Sequence, residues 1–428
     1  KRNEVFSMKC PKAKLCGGCP LLSIPYQNQG EQKRQKVMEQ LAGAHLRMTV
    51  SPVHLAESAS RYRNKVIVGF ARTPDKKVYA GLYAPKSHKV IAMKDCMMQP
   101  KLVNEIIQEI THLIESMKIQ LYNPKTRTGL LRHVLIRYAE STNQAMVVFV
   151  TARKEFPSRR NLVHALTERF PQIVTIAQNI NPRDTSIVLQ DETLLLYGKG
   201  MITDDLCGLK ISYSPSAFYQ IHHDQCEVLY NLGKDMLNLS DKDKVLDTYC
   251  GVGTIGLFLS RFCKEVTGVE INRDAVQNAM FNARQNEIKN IRFVAMDSTR
   301  YMAEARRNHQ FYNAIVLDPP RAGTTPSFIE NACALHPDKI LYISCDPTTQ
   351  IRDLKLFKRF GYTSDHMELV DMFPNTEHIE SLVLLTPSKQ TPKACNKTYN
   401  PAQKGPKARG AYNKGPKNHS FSKSKGRR

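Results

Sequence analysis

The chain has 428 residues, 41% of them hydrophobic; this is about two to three domains' worth of sequence with enough apolar material for packed cores, and it excludes disorder over most of the length. Sixty-two Lys and Arg against 39 Asp and Glu leave a formal charge of +23, which favours polyanionic partners, nucleic acid before anionic membrane. No apolar run reaches the roughly 18 residues that cross a bilayer, and the opening KRNEVFSMKC lacks the apolar stretch of a secretory signal.

Eleven cysteines in a long chain of this kind read as buried thiols plus a metal site or a catalytic thiolate in a reducing cytoplasm, not as a disulfide scaffold. The first cluster is Cys10-x5-Cys16-x2-Cys19, with Cys96 far downstream in KDCMMQP. Soft thiolates at this spacing can hold a tetrahedral zinc or an iron–sulfur cluster, and Gly17 and Gly18 let the backbone fold tightly around it. Three free thiols in a mobile N-terminus are the bland alternative. Their crowding, in a chain whose other cysteines are scattered, argues against it. Thiolates alone do not separate zinc from iron.

Beyond the cysteines, helices are expected near 29–42, 100–117 and 158–170, and strands near 62–72, 78–83, 134–138 and 145–151. This describes an α+β domain over 1–205, joined to the next near 203–215. From 206 to 387 strands and helices alternate. Strands are expected at 244–249, 265–271, 291–296, 313–318 and 339–345, with helices over 251–262, 273–286, between the third and fourth strands, and near 351–360. Runs at 362–372 and 378–386 are joined by a loop too short for a crossover helix, so they should pair antiparallel. Such alternation implies a doubly wound α/β sheet with ligands at the carboxyl ends of its strands.

The first strand-to-helix turn of that sheet reads LDTYCGVGT over 246–254. It departs from the GxGxxG dinucleotide pattern, because its glycines have a different context and an acid, Asp247, lies on the strand. Glu270 ends the second strand, where a carboxylate can accept from both hydroxyls of a ribose. Asp297 follows the third and could hold an adenine amino group. Acids at these two strand ends favour S-adenosylmethionine over a nicotinamide.

DPPR (318–321) follows the fourth strand. Methyltransferases of exocyclic amines often carry an aromatic after Pro-Pro to stack the flipped base; Arg321 stands there instead, which argues against an N6-adenine target and leaves Asp318 to bond a base edge. SCDP (344–347) puts Cys345 at the tip of the fifth strand, where the positive end of the following helix should lower its pKa. A buried structural thiol is the alternative, and the position between two site motifs disfavours it. MFPNTEHIE (372–380) offers Glu377, His378 and Glu380 as bases. A thiolate with a nearby carboxylate suits attack on an unsaturated ring followed by proton removal.

From Ser388 onward there is no acid and no apolar periodicity, and twelve basic residues supply about half of the net charge. This segment is expected to be a disordered cationic arm that contacts RNA or merely aids solubility.

Together these residues resemble the RNA uracil-C5-methyltransferase family, class I and S-adenosylmethionine-dependent, in its iron–sulfur-containing 23S rRNA branch. The resemblance covers nearly all of the chain except the tail: the cysteines with CGGC, YRNK (62–65), GLLRHV (129–134), 214–220, the 246–254 turn, DPPR, SCDP and MFPNTEHIE. It implies a Rossmann-like methyltransferase sheet with an antiparallel last strand, preceded by an α+β iron–sulfur-bearing domain. By the same resemblance Cys10, Cys16, Cys19 and Cys96 match ligands of a [4Fe–4S] cluster. Gln220, Tyr249, Gly251, Glu270 and Asp297 match the methyl-donor site, with Thr254 a weaker match, and Asp318 the acid beside donor and base. Cys345 matches the nucleophile and Glu380 the base that removes the C5 proton.

The implied partner is RNA, 23S rRNA ahead of tRNA, with no membrane and no obligate protein partner. A non-catalytic RNA-binding iron–sulfur protein is the alternative of another class, and intact Cys345, Glu380, Asp318 and Glu270 argue against it. There are departures from the family pattern. The chain begins too close to Cys10 for the N-terminal RNA-binding barrel of many members, Asn375 stands where His is frequent, and Asp346 stands where Asn is common after the nucleophile.

Overall fold

A computed structural model describes residues 9–185 and 187–388 of the chain; the expected cationic arm lies outside them, apart from its first residue. After a short helix α1 (Ala13–Cys16) come α2 (Tyr26–Gly43), β1 (Thr49–Val50), β2 (Lys65–Arg72), β3 (Val78–Tyr83), β4 (Val90–Ala92) and α3 (Lys101–Ser116). The chain continues through β5 (Leu131–Ala139), β6 (Gln144–Thr151), α4 (Arg159–Arg169), β7 (Ile173–Ile180) and β8 (Thr193–Gly198). Strands β2 to β8 form a seven-stranded sheet in the order β4-β3-β2-β5-β6-β7-β8. One face is covered by α3, whose Val103, Ile106, Ile110 and Ile114 recur at helical spacing and meet Val66, Val68 and Val134.

A two-stranded hairpin, β9 (Ile202–Leu206) and β10 (Leu209–Tyr213), follows at the expected join. Helix α5 (His223–Leu237) then leads into the second sheet: β11 (Lys244–Thr248), α6 (Thr254–Leu259), β12 (Glu265–Glu270), α7 (Arg273–Gln285), β13 (Ile291–Ala295), α8 (Ser298–Arg307), β14 (Ala314–Leu317), α9 (Pro326–Ala334), β15 (Lys339–Ser344), α10 (Pro347–Arg359), β16 (Tyr362–Thr363), β17 (His366–Val370) and β18 (Glu380–Pro387). Its order is β1-β17-β18-β15-β14-β11-β12-β13, with β16 also on β18. The central strands pair in parallel. As the short connecting loop requires, β18 runs antiparallel to β15 and β17. The chain reverses order between β11 and β14, which opens a crevice at their carboxyl ends.

The sheet gains an edge that periodicity did not reveal. Thr49 and Val50 pair in parallel with His366 and Met367, and Val37 and Leu41 of α2 are buried in one core with Leu246, Ile315 and Leu369. The segment after the cysteines thus packs on the second sheet. Among the described residues no helix is long and apolar enough to cross a membrane.

Candidate active site

The crevice begins at the turn after β11. Tyr249 and Gly251 both adopt positive φ, 61° and 54°, and a Cβ on Gly251 would face nothing within 4 Å. Open space therefore lies against bare backbone, as a ligand approaching the main chain needs. The amide of Gly251 donates to one oxygen of Glu270 at 3.1 Å, and the amide of Asn272 donates to the other at 2.8 Å. Backbone donors on both sides hold this carboxylate at the tip of β12. Gly256 is needed for a different reason: a Cβ there would stand 2.8 Å from the carboxylate of Asp247, which accepts from the Gly256 amide. Burial pushes the Asp247 carboxyl up to about 8, and its second oxygen has no partner.

The other donor-site candidates differ in how free they are. The Tyr249 hydroxyl lies 2.9 Å from that of Thr324. Exposed Asp297 caps α8 by accepting from the Arg300 amide at 2.9 Å. The Thr254 hydroxyl meets that of buried Tyr230 at 2.6 Å.

Beside this turn the ends of β14, β15 and β18 bring Asp318, Arg321, Cys345 and Glu380 together. Gln220 joins them: its side-chain amide is 3.5 Å from the Asp318 carboxylate, and its carbonyl accepts from Asn64 at 2.7 Å. Burial drives the Asp318 carboxyl up to about 7. Glu380 is 2% exposed, and its carboxyl is held well above the usual range, first by burial and then by the charge of Asp318, with Arg321 opposing. One of its oxygens has no hydrogen-bond partner. The three bases suggested by sequence are thereby separated. Glu377 and His378 are exposed, Glu377 lies 3.4 Å from Lys36, and only Glu380 enters the cleft.

The thiol of Cys345 corrects the sequence expectation. It is raised to about 11, not lowered, by burial first and then by Glu380 and Asp318, with Arg321 opposing. Helix α10 does begin at Pro347, but Asp346 caps it and accepts from the Thr348 amide at 3.0 Å. A carboxylate placed at the helix start offsets the positive end that was expected to act on the thiol. Arg321, which sequence reading treated only as a missing aromatic, is the cation that acts on both Cys345 and Glu380.

Cys10, Cys16, Cys19 and Cys96 are all partly exposed free thiols. Cys16, Cys19 and Cys96 line one cavity of about 330 Å³ with Arg63, Lys65 and Gln99, and Cys10 is close enough for its charge to act on Cys19 and Cys96. Among the described residues no group of three ligating side chains is drawn tightly enough to hold a metal ion.

Residues 25–388 match the family model for tRNA (uracil-5-)-methyltransferases. The chain belongs to this family. An RNA methyltransferase of Clostridium tetani is 38% identical over 87% of this chain and 81% of its own length. A second, from Halalkalibacterium halodurans, is 35% identical over 88% and 82%. Among solved structures, the tRNA (uracil-54, C5)-methyltransferase of Pyrococcus abyssi, in complex with S-adenosyl-L-homocysteine, matches with a TM-score of 0.70 and 26% identity over 87% of this chain and 86% of that one. The chain is thus an RNA (uracil-C5)-methyltransferase of the S-adenosylmethionine-dependent class, with the α/β methyltransferase fold.

In this methyltransferase the loop leading to Glu380 is clamped from the N-terminal segment, a feature that sequence reading missed. Lys33 on α2 pairs with Asp371 at 2.7 Å, the two side chains being 2% and 0% exposed, and donates to the Phe373 carbonyl at 3.2 Å. Gln29, one turn earlier, exchanges hydrogen bonds with Asn375, side chain at 3.0 Å and backbone amide at 2.9 Å. Asn375 also donates to the Ala59 carbonyl at 2.8 Å, while the Tyr62 hydroxyl donates to the Pro374 carbonyl at 3.0 Å. Two buried polar residues one turn apart on α2 were the only available sequence signal. Lys33→Met leaves Asp371 buried without its cation and is expected to lower unfolding free energy by about 3–5 kcal/mol. Denaturant titration of the variant beside Lys33→Met/Asp371→Leu, in which no unpaired charge remains, checks this; the double variant should recover much of the loss.

Proposed function

We propose that this cleft methylates C5 of a uridine in RNA through a transient bond between Cys345 and C6 of the ring. The observation that supports it most strongly is the convergence of Cys345, Glu380, Asp318 and Gln220 beside the open turn at Gly251. Uracil C5 is a poor nucleophile, and addition of the Cys345 thiolate to C6 turns the ring into an enolate whose C5 is reactive. Asp318 and Gln220 orient the base and steady charge at N3 and O4. Glu380 then takes the C5 proton, and elimination breaks the sulfur–C6 bond. When bound, S-adenosylmethionine supplies the electrophilic methyl group. Gly251, Tyr249 and Glu270 would hold it, the carboxylate of Glu270 being kept ready by two backbone amides, with Asp297 nearby and Thr254 contributing least. The target base must leave its stack to reach the sulfur, which suits an RNA loop.

The test is incubation of the full chain with RNA containing 5-fluorouridine and S-adenosylmethionine. Fluorine cannot leave as a proton, so a denaturation-resistant RNA–protein complex is expected, and its absence would defeat the proposed chemistry.

For the substrate we favour 23S rRNA, on the resemblance of the cysteine set to that branch. A tRNA uridine is the second reading, favoured by the family's description and by the tRNA specificity of the Pyrococcus enzyme. Mapping 5-methyluridine in both RNAs from a deletion strain decides between them. Cys10, Cys16, Cys19 and Cys96 fit a [4Fe–4S] cluster in their all-thiolate donor set, three of them sharing one cavity and Cys10 lying near it. Because methyl transfer is redox-neutral, the cluster's role there is structural or RNA-organising. The cationic arm gives a further expectation: removing 388–428 should weaken RNA binding and flatten its salt dependence, as measured by titration at several salt concentrations.

A further inference from the structure

The GLLRHV motif (129–134) has no part in the chemistry above, yet it builds the wall of a large cavity. This cavity, about 1,210 Å³, lies at the far end of β2 and β5. Neighbouring residues of a strand normally point to opposite faces. Here the register of β5 against β6 shifts between Leu131 and His133, and such a bulge re-aims side chains, so that both Arg132 and His133 line the cavity. Gly129, at φ 100°, lets the chain pass where a Cβ would stand 2.1 Å from the Leu121 carbonyl. That close passage sets Tyr122 beside the strand, its amide bonded to the Leu131 carbonyl at 2.8 Å.

The guanidinium of Arg132 consequently sits over the Tyr122 ring, 4.4 Å from its centroid. It is held there by donating to the carbonyls of Asn181 and Arg183 at 2.9 and 2.8 Å, while its Nε is buried without a partner. His133 lies edge-on to Tyr83 at 5.7 Å. Arg72 and Lys118 add charge at the exposed rim, where the one acid, Asp184, is already paired with Arg127 at 3.1 Å. A fixed planar cation on an aromatic ring, beside a histidine and under a basic rim, is the chemistry that takes an unpaired base together with its phosphate.

The cavity also leads towards the cleft. Val188 lines both it and the adjoining groove, which reaches Ser214 and Asn272. Lys65 and Ile67 line that groove and the cysteine cavity alike. The three concavities thus lie side by side along one face of the seven-stranded sheet.

We propose that the Tyr122–Arg132–His133 cavity holds a second unstacked nucleotide of the substrate RNA, away from the one being methylated. The proposal rests on the RNA-methylation reading and deepens it: the enzyme would grip an opened single strand at two points.

The test measures binding of a fluorescein-labelled oligouridylate to the full chain at several salt concentrations. Tyr122→Ala is expected to weaken it on the order of tenfold, through lost stacking. Arg132→Lys should weaken it while leaving the salt slope unchanged, because the charge is kept. Exposed Lys118→Glu, which no packing defect can explain, should weaken binding and lower the salt slope by about one unit or more. S-adenosylhomocysteine binding should be unchanged in all three. Wild-type affinity in all three variants would overturn the proposal, as would ultraviolet crosslinks mapping only outside the cavity. If the wild type forms the 5-fluorouridine complex and the variants bind normally, the cavity assignment alone is lost. If the variants bind weakly and the wild type forms no complex, the cavity stands and the methylation chemistry is lost.

Discussion

Cys345→Ala is expected to abolish the covalent complex with 5-fluorouridine RNA and to cut methyl transfer by several orders of magnitude, while S-adenosylhomocysteine still binds within about twofold. The loss is large because no other group in the cleft can replace the sulfur: Glu380 and Asp318 are carboxyls, and Cys250, the nearest thiol in sequence to the open turn, is buried. The state of the thiol adds a second signature. With its pKa raised to about 11, only a very small fraction of the thiol is ionised at pH 7 in the free site. A raised pKa means that the reactive form grows as pH rises, so the rate of complex formation should climb with pH through neutrality, less steeply than tenfold per unit because the Asp318 carboxyl, at about 7, gains charge over the same range. A flat profile, or a complex that persists in the alanine variant, places the nucleophile elsewhere.

Glu380→Gln should divide the reaction at its last step. Ordinary uridine RNA and S-adenosylmethionine carrying a labelled methyl group are expected to yield a denaturation-resistant complex in which the label, the RNA and the protein stay joined. Glutamine fills the same buried space but cannot accept the C5 proton, and elimination waits on that proton. The raised pKa of Glu380 suits it to this work, since a carboxylate destabilised by burial is a stronger base than one in water. The substitution also removes the second-largest influence raising the Cys345 pKa. Free methylated RNA at the normal rate would remove Glu380 from the mechanism.

Much of the second half was legible because buried parallel strands write themselves as apolar runs. KVLDT, AIVL and KILYIS became β11, β14 and β15 close to their expected limits. Asp318 and Cys345, which follow the second and third of these runs, then fall at strand tips without further information. Helix α5 was missed although Cys226, Leu229, Tyr230, Gly233 and Leu237 bury a face at helical spacing, a signal present but unread. The run expected as one strand over 362–372 is split into β16 and β17. Strand β1 has only two residues and left no periodicity to find.

Order along the chain thus determined the sheet, its crevice and the place of Cys345 at a strand tip, since each follows from local pattern and from residue types whose chemistry is their own. Three outcomes belong to tertiary structure alone. Which of Glu377, His378 and Glu380 enters the cleft depends on burial within the sheet. The direction of the Cys345 shift depends on which charges converge on it across strands remote in sequence. The clamp of Gln29 and Lys33 on the Glu380 loop joins residues more than 300 positions apart. Electrostatics and desolvation act through space, so a one-dimensional pattern names the groups but not the field they feel.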